Sequence, residues 1–153
     1  MPRKSLLASI YYAISGIAAM GFGILEMVIT FTSGVDGVIW GPLEISGLWL
    51  WWRAIILFSA GVIYLSAIKN CLDIHQLAKS VVASIMILIV SGMEVVARVA
   101  GSVPGEEGGP WFNPPAVFLA TYAPPYMPEI FLLPLSLLVF AFIYRRKKTT
   151  GDG

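Results

Sequence analysis

The sequence has few of the side chains on which metal and redox sites depend. It contains one cysteine and one histidine among 153 residues. The lone Cys71 excludes a disulfide within the chain and a metal site built from cysteines alone. The lone His75 excludes haem ligation by two histidines of one chain and the two-histidine zinc motif of metalloproteases. We therefore expect no bound metal and no cofactor.

These two residues nevertheless form a short cluster with Asp73. The spacing, with one residue between Cys71 and Asp73 and one between Asp73 and His75, matches no recognised ligand pattern. We interpret the cluster as part of a solvated loop. A metal site, or a Cys–His nucleophile pair, is the alternative interpretation of the same residues.

Charge is scarce as well. Charged residues make up 12% of the chain and hydrophobic residues 58%, whereas soluble domains average about 25% and about 45–50%. The mean hydropathy is +0.81. A net charge of +1 provides no electrostatic surface suited to nucleic acid. A lipid bilayer is therefore the expected partner, since a soluble fold of this size could not bury so much apolar surface.

Four long apolar stretches account for this composition. At about 1.5 Å rise per residue, each can cross a hydrocarbon core of roughly 30 Å, the fourth only just. The sequence therefore predicts an all-α, polytopic membrane protein whose four antiparallel helices form a single domain, residues 1–146. The predicted spans are residues 6–31, 48–68, 80–100 and 128–144.

The sequence also supports predictions for three shorter parts of the chain. The first apolar stretch runs for about 25 residues, too long for the 7–15-residue core of a secretory signal, so we expect it to be retained. Residues 147–153 are predicted to be a disordered polar tail. In the longest loop, residues 116–122 are compatible with a short helix at the membrane interface.

The distribution of Lys and Arg predicts the orientation. Eight of the ten basic residues lie before span one, in the loop 69–79, or directly after span four, and the predicted outer loops 32–47 and 101–127 contain none. Because basic residues accumulate on the cytoplasmic side, both termini are expected to be cytoplasmic. We expect a multi-pass protein of the plasma membrane.

Ionisable side chains within the spans are the main candidates for a site. A charge at the bilayer centre costs at least roughly 2.5–3.5 kcal/mol, so such groups usually face the protein interior, a partner or water. All five lie towards the predicted outer ends of the spans: Glu26, Arg53, Glu94, Arg98 and Glu129. Three carboxylates with two guanidinium groups leave one acid without a cation of its own.

These charges admit three interpretations. In the first, Glu26 pairs with Arg53 and Glu94 pairs with Arg98 at helical i,i+4 spacing, and the pairs fix the register of the helices. In the second, they form a polar site open to the outer face, where the leftover acid binds a proton, a cation or a polar headgroup. In the third, they pair with transmembrane helices of another protein.

Small residues on span one predict close helix packing. Ser15, Ala19 and Gly23 recur every four residues, a spacing that lets two helix backbones approach each other. We expect a non-catalytic accessory or packing subunit of a larger membrane complex, or a homo-oligomer formed through this ridge. The alternative is a small transporter, channel or lipid- or quinone-binding protein that uses the charged residues. A membrane enzyme with acid–base carboxylates also remains open.

Overall fold

The structure, a computed structural model, is mostly helical. It describes residues 3–34, 36–47, 49–70, 73–103 and 113–150. The helices are α1 (Arg3–Ser33), α2 (Leu50–Ser66), α3 (Ile74–Gly101), α4 (Pro115–Thr121) and α5 (Pro128–Thr150). A 3-10 turn, Ala67–Asn70, extends α2, and two short strands, β1 (Val38–Trp40) and β2 (Leu43–Ile45), lie between α1 and α2. Cys71 lies outside the described residues, so its predicted cluster is described only in part.

Three helices are long and apolar enough to cross a membrane. They cover Leu6–Ser33, Leu50–Lys69 and Ile74–Gly101, and they correspond to the first three predicted spans. The apolar part of α5 within the described residues, Pro128–Ala141, is shorter. The chain therefore has the helices of a membrane protein, in agreement with its composition.

Two helix ends differ from the predicted spans. Helix α3 begins at Ile74 instead of residue 80, because the Asp73 side chain caps it by accepting a hydrogen bond from the His75 backbone N–H at 3.4 Å. Helix α5 continues to Thr150, through the first residues of the predicted polar tail. Hydropathy marks where a helix stops being apolar, whereas capping residues and glycine mark where it stops being a helix.

Helices α1 and α2 pack with their backbones close together. A Cβ atom at Gly23 would lie 2.5 Å from the backbone nitrogen of Phe58, and one at Gly61 would lie 2.5 Å from that of Met20. Ser15 and Ala19, the other members of the small-residue ridge, are buried along the same side of α1. Gly23 therefore packs against a second helix of the same chain, and the whole ridge is buried within the chain, so it is not exposed to join two copies.

The remaining long helices complete the core. Helix α2 packs antiparallel to α1, α3 packs against α2, and α5 packs against α3 and reaches α1. A tyrosine cluster joins them: Tyr64 and Ser84 share a hydrogen bond of 2.7 Å, and Ser80 donates to the Tyr12 hydroxyl at 3.2 Å. Tyr11 donates to the Leu135 carbonyl of α5. These hydrogen bonds specify which helix faces meet. Apolar side chains specify this only weakly in a membrane, because lipid tails are as apolar as they are.

A small hairpin that the sequence did not predict covers one end of the helices. Strands β1 and β2 pair antiparallel around a two-residue turn, in which Gly41 has φ +59°, a conformation that favours glycine. The Glu44 N–H donates to the Tyr126 carbonyl at 2.9 Å, and the Tyr126 N–H donates to the Pro42 carbonyl at 2.8 Å. The two predicted outer loops are therefore hydrogen-bonded to each other.

The α1–α2 contact generates a prediction with a control on the same helix. Gly23→Ala should destabilise the fold by about 1–3 kcal/mol, because the new methyl group meets the Phe58 backbone, which cannot rotate away. Gly21→Ala has nothing within 4 Å and should be neutral or stabilising by up to about 1 kcal/mol. Thermal unfolding in mild detergent measures both variants. Equal melting temperatures would contradict the close packing.

Candidate functional site

Arg53, in the first turns of α2, is the centre of the charged cluster. Its Nη2 donates to Glu26 Oε1 of α1 at 3.0 Å, and its Nε forms an ion pair with Glu129 Oε1 of α5. Its Nη1 donates to the Ser46 carbonyl at 3.1 Å and to Met127 Sδ at 2.8 Å. One side chain thus links three helices and the segments that precede two of them.

The cluster around Arg53 contains more carboxylates than guanidinium groups. Glu26 and Glu129 are fully buried, and the Arg53 side chain is 13% exposed. Two carboxylates therefore share one guanidinium. Oε2 of Glu26 and Oε2 of Glu129 have no hydrogen-bond donor among the described residues. Buried carboxylate oxygens are normally hydrogen-bonded, so these two oxygens are exceptions within the cluster.

Arg98, near the end of α3, makes a second set of contacts. Its Nε donates to Glu94 Oε1 at 2.8 Å, and its terminal nitrogens donate to the carbonyls of Thr121 at 3.0 Å and Pro125 at 2.6 Å. The guanidinium also lies 5.0 Å from the centre of the Tyr126 ring. Carbonyls at the end of a helix lack intrahelical partners and carry partial negative charge, so Arg98 stabilises the chain where α4 ends.

A cavity of about 280 Å³ adjoins both sets of contacts. It lies between α2 and α3, and its walls are mainly apolar, with side chains from Trp52, Ile56 and Met93. Three charged residues also line it, namely Arg53, Glu94 and Glu129. Trp52 is 62% exposed and Met93 66% exposed, so the cavity opens on the outside of the helix cluster.

The structure brings all five sequence-predicted charged residues to the same end of the molecule. It contains the Glu26–Arg53 and Glu94–Arg98 contacts. The acid expected to lack a cation, Glu129, is not isolated, because it shares Arg53 with Glu26. The two groups of charges adjoin at the cavity.

Sequence reasoning missed three contributors to the site. Ser46 acts through its backbone carbonyl, which every residue has, so no sequence signal identifies it. Met127 was interpreted only as part of a loop, and its sulfur contacts Arg53. Trp52 lines the cavity. A tryptophan near the end of a span is typical of a bilayer boundary, a pattern that indicates depth in the membrane and not a cavity wall.

The described residues contain no group of three or more His, Cys, Asp or Glu side chains placed to hold a metal ion. Asp73 caps α3, and His75 is exposed on the first turn of that helix. The chain matches no protein-family model, no curated protein and no solved structure.

The shared guanidinium generates a prediction about coupling. Arg53→Gln should destabilise the protein by about 3–5 kcal/mol, because it leaves two buried carboxylates without a cation. Glu129→Gln should cost less, since it leaves Glu26 and Arg53 as a one-to-one pair. The double variant Glu26→Gln, Arg53→Gln should lose less than the sum of its single variants, as contacting residues do.

Chemical or thermal unfolding in the same detergent gives these differences. The exposed Asp36→Asn serves as a surface control and should stay within about 0.5 kcal/mol of the parent protein. Additive losses for Glu26 and Arg53 would mean that the two side chains do not interact in solution.

Proposed function

We propose that this protein is a four-span protein of the plasma membrane with both termini in the cytoplasm. The fourth span would be α5, which packs against α3 and contacts α1. The absence of Lys and Arg from the sequence of the two outer loops supports the orientation. The loops are also hydrogen-bonded to each other through Tyr126, which is consistent with their lying on the same side.

Within that membrane, we propose a non-catalytic role as an accessory or packing subunit of a larger assembly. The observation that carries this proposal is the use of the intramembrane charges inside the chain: Arg53 joins α1, α2 and α5, and Arg98 holds the chain at the end of α4. Charged side chains that are paired within the chain hold the helices of a small protein in fixed positions. A stiff helix cluster with little mass outside its helices suits a subunit whose surface contacts lipid and neighbouring helices.

The partner surface of such a subunit cannot be the small-residue ridge. Ser15 and Ala19 are buried within the chain, and Gly23 packs against α2. A partner subunit, or a second copy, would instead meet the exposed aliphatic side of α1, where Ile10 and Ile17 are 47% and 62% exposed. Lipid chains would contact the same side when no partner is bound.

One observation favours a second candidate function, a lipid- or small-molecule-binding protein or transporter. The cavity beside Glu94 and Glu129 combines apolar walls with a few polar groups, as ligand sites commonly do. The two candidate functions require different arrangements of the charged side chains. An accessory subunit needs them paired, whereas a binding protein needs at least one of them accessible from the cavity.

The proposed orientation predicts a labelling pattern. A maleimide that does not cross membranes should label native Cys71 only after cells are broken open. In a Cys71→Ser background, Asp36→Cys and Ala116→Cys should be labelled in intact cells, because both positions are exposed in the outer loops. Labelling of native Cys71 from outside would overturn the orientation.

Glu94→Gln separates the two candidate functions. It deletes the charge that pairs with Arg98 while keeping the size of the side chain. For an accessory subunit we expect a lower melting temperature and weaker co-purification of partners in mild detergent, measured by mass spectrometry. Normal stability and normal assembly, combined with lost ligand-dependent stabilisation or flux in vesicles, would contradict that role and favour the second.

A further inference from the structure

We propose that the end of the helix cluster opposite Arg53 binds the headgroups of anionic phospholipids. We call it the basic end, and it is defined by Arg3, Lys4, Lys69, Lys79 and residues 145–148. This inference goes beyond both candidate functions. It requires only that the long helices lie in a membrane, and it holds for either orientation of the chain.

Charge is distributed unequally between the two ends of the helices. The sequence before span one, in the loop 69–79 and after span four contains eight basic and two acidic side chains, a net charge of +6. The rest of the chain contains two basic and seven acidic side chains, a net charge of −5. The overall charge of +1 thus conceals one strongly basic end. Basic clusters next to a membrane-spanning helix are typical of sites that bind anionic lipid headgroups.

The fold places the basic segments of several helices at the same end. Arg53 contacts Glu26 and Glu129, so the start of α2, the later part of α1 and the start of α5 lie together at the other end. The start of α1 and the ends of α2 and α5 therefore lie opposite. The 3-10 turn that carries Lys69 also packs against both α1 and α3. Basic residues that are distant in the chain are thus brought to one end of the molecule.

Two lysines of the basic end are accessible to an outside partner. Lys69 and Lys79 are exposed, and neither forms an ion pair with another described residue. The nearby acid Asp73 uses its side chain to accept a hydrogen bond from the His75 N–H at the start of α3. The two arginines of the other end, by contrast, are both paired with acids of the same chain. An anion therefore meets less competition from the protein's own carboxylates at the basic end.

Helix α5 continues directly from its apolar run into the densest basic run of the chain. The apolar run ends at Tyr144, residues 145–148 are all Arg or Lys, and the helix extends through them to Thr150. Successive helical residues are about 100° apart, so four of them are distributed around most of the helix. Whichever side of α5 borders lipid, a basic residue therefore lies there at the end of the apolar run, where the headgroups begin.

Lipid retention by the full-length protein tests this proposal. The protein is reconstituted in nanodiscs made from equal parts of phosphatidylcholine and phosphatidylglycerol, extracted in mild detergent and analysed for bound lipid by mass spectrometry. Phosphatidylglycerol should be retained about tenfold or more over phosphatidylcholine, since one Lys or Arg near an anionic surface already favours it about fivefold. Raising the salt concentration should lower this enrichment, because exposed charges are screened.

Two double variants with a matched control locate the bound lipid. Lys147→Gln with Lys148→Gln removes two charges beyond span four, and Lys69→Gln with Lys79→Gln removes two beside the turn. Each pair should lower the enrichment about fivefold or more. Lys147→Arg with Lys148→Arg keeps both charges and should stay within about twofold of the parent protein. Enrichment that survives both pairs of Gln substitutions would place the lipid elsewhere and overturn the proposal.

Other results would assign the basic residues a different role. Equal retention of the two lipids would mean that these residues only set the orientation of the chain or stabilise the C-terminal end of α5, and it would overturn the proposal. Release of the bound phosphatidylglycerol by inorganic phosphate, with no release by chloride of the same ionic strength, would identify a soluble anion as the ligand and overturn it as well. Neither result affects the two candidate functions, which rest on the charges at the other end.

Discussion

One guanidinium, that of Arg53, holds the first and the last long helices to the second through two buried carboxylates, Glu26 and Glu129. In lipid the apolar effect that drives soluble proteins together is weak between helices, so close backbone packing and polar contacts decide how helices associate. The close α1–α2 approach at Gly23 and Gly61 brings the two backbones together, and Arg53 then links that helix pair to α5.

Arginine contacts also hold the two predicted outer loops, residues 32–47 and 101–127. Arg53 donates to the Ser46 carbonyl, and Arg98 donates to the carbonyls of Thr121 and Pro125. The hairpin pairs with Tyr126 through two backbone hydrogen bonds. Each loop is thus fastened both to a helix and to the other loop. This arrangement places a cavity at a defined position beside the charges.

The ion pairs and the cavity make a structural role and a binding role compatible in one molecule. Two buried acids around one arginine stabilise the helix contacts, and Arg53 and Glu129 also belong to the lining of a mainly apolar cavity. Burying an incompletely compensated carboxylate is costly.

The sequence by itself determined the membrane class, the three long apolar helices and which ionisable residues lie near one end, because hydropathy and residue spacing are properties of single segments. It also indicated the Glu94–Arg98 pair, since i,i+4 residues meet on any helix. Only the tertiary structure decided that Glu129 shares Arg53, that Gly23 packs against α2, and that a hairpin joins the two predicted outer loops. Those contacts join residues far apart in the chain, and they depend on helix rotation and on backbone atoms that every residue has.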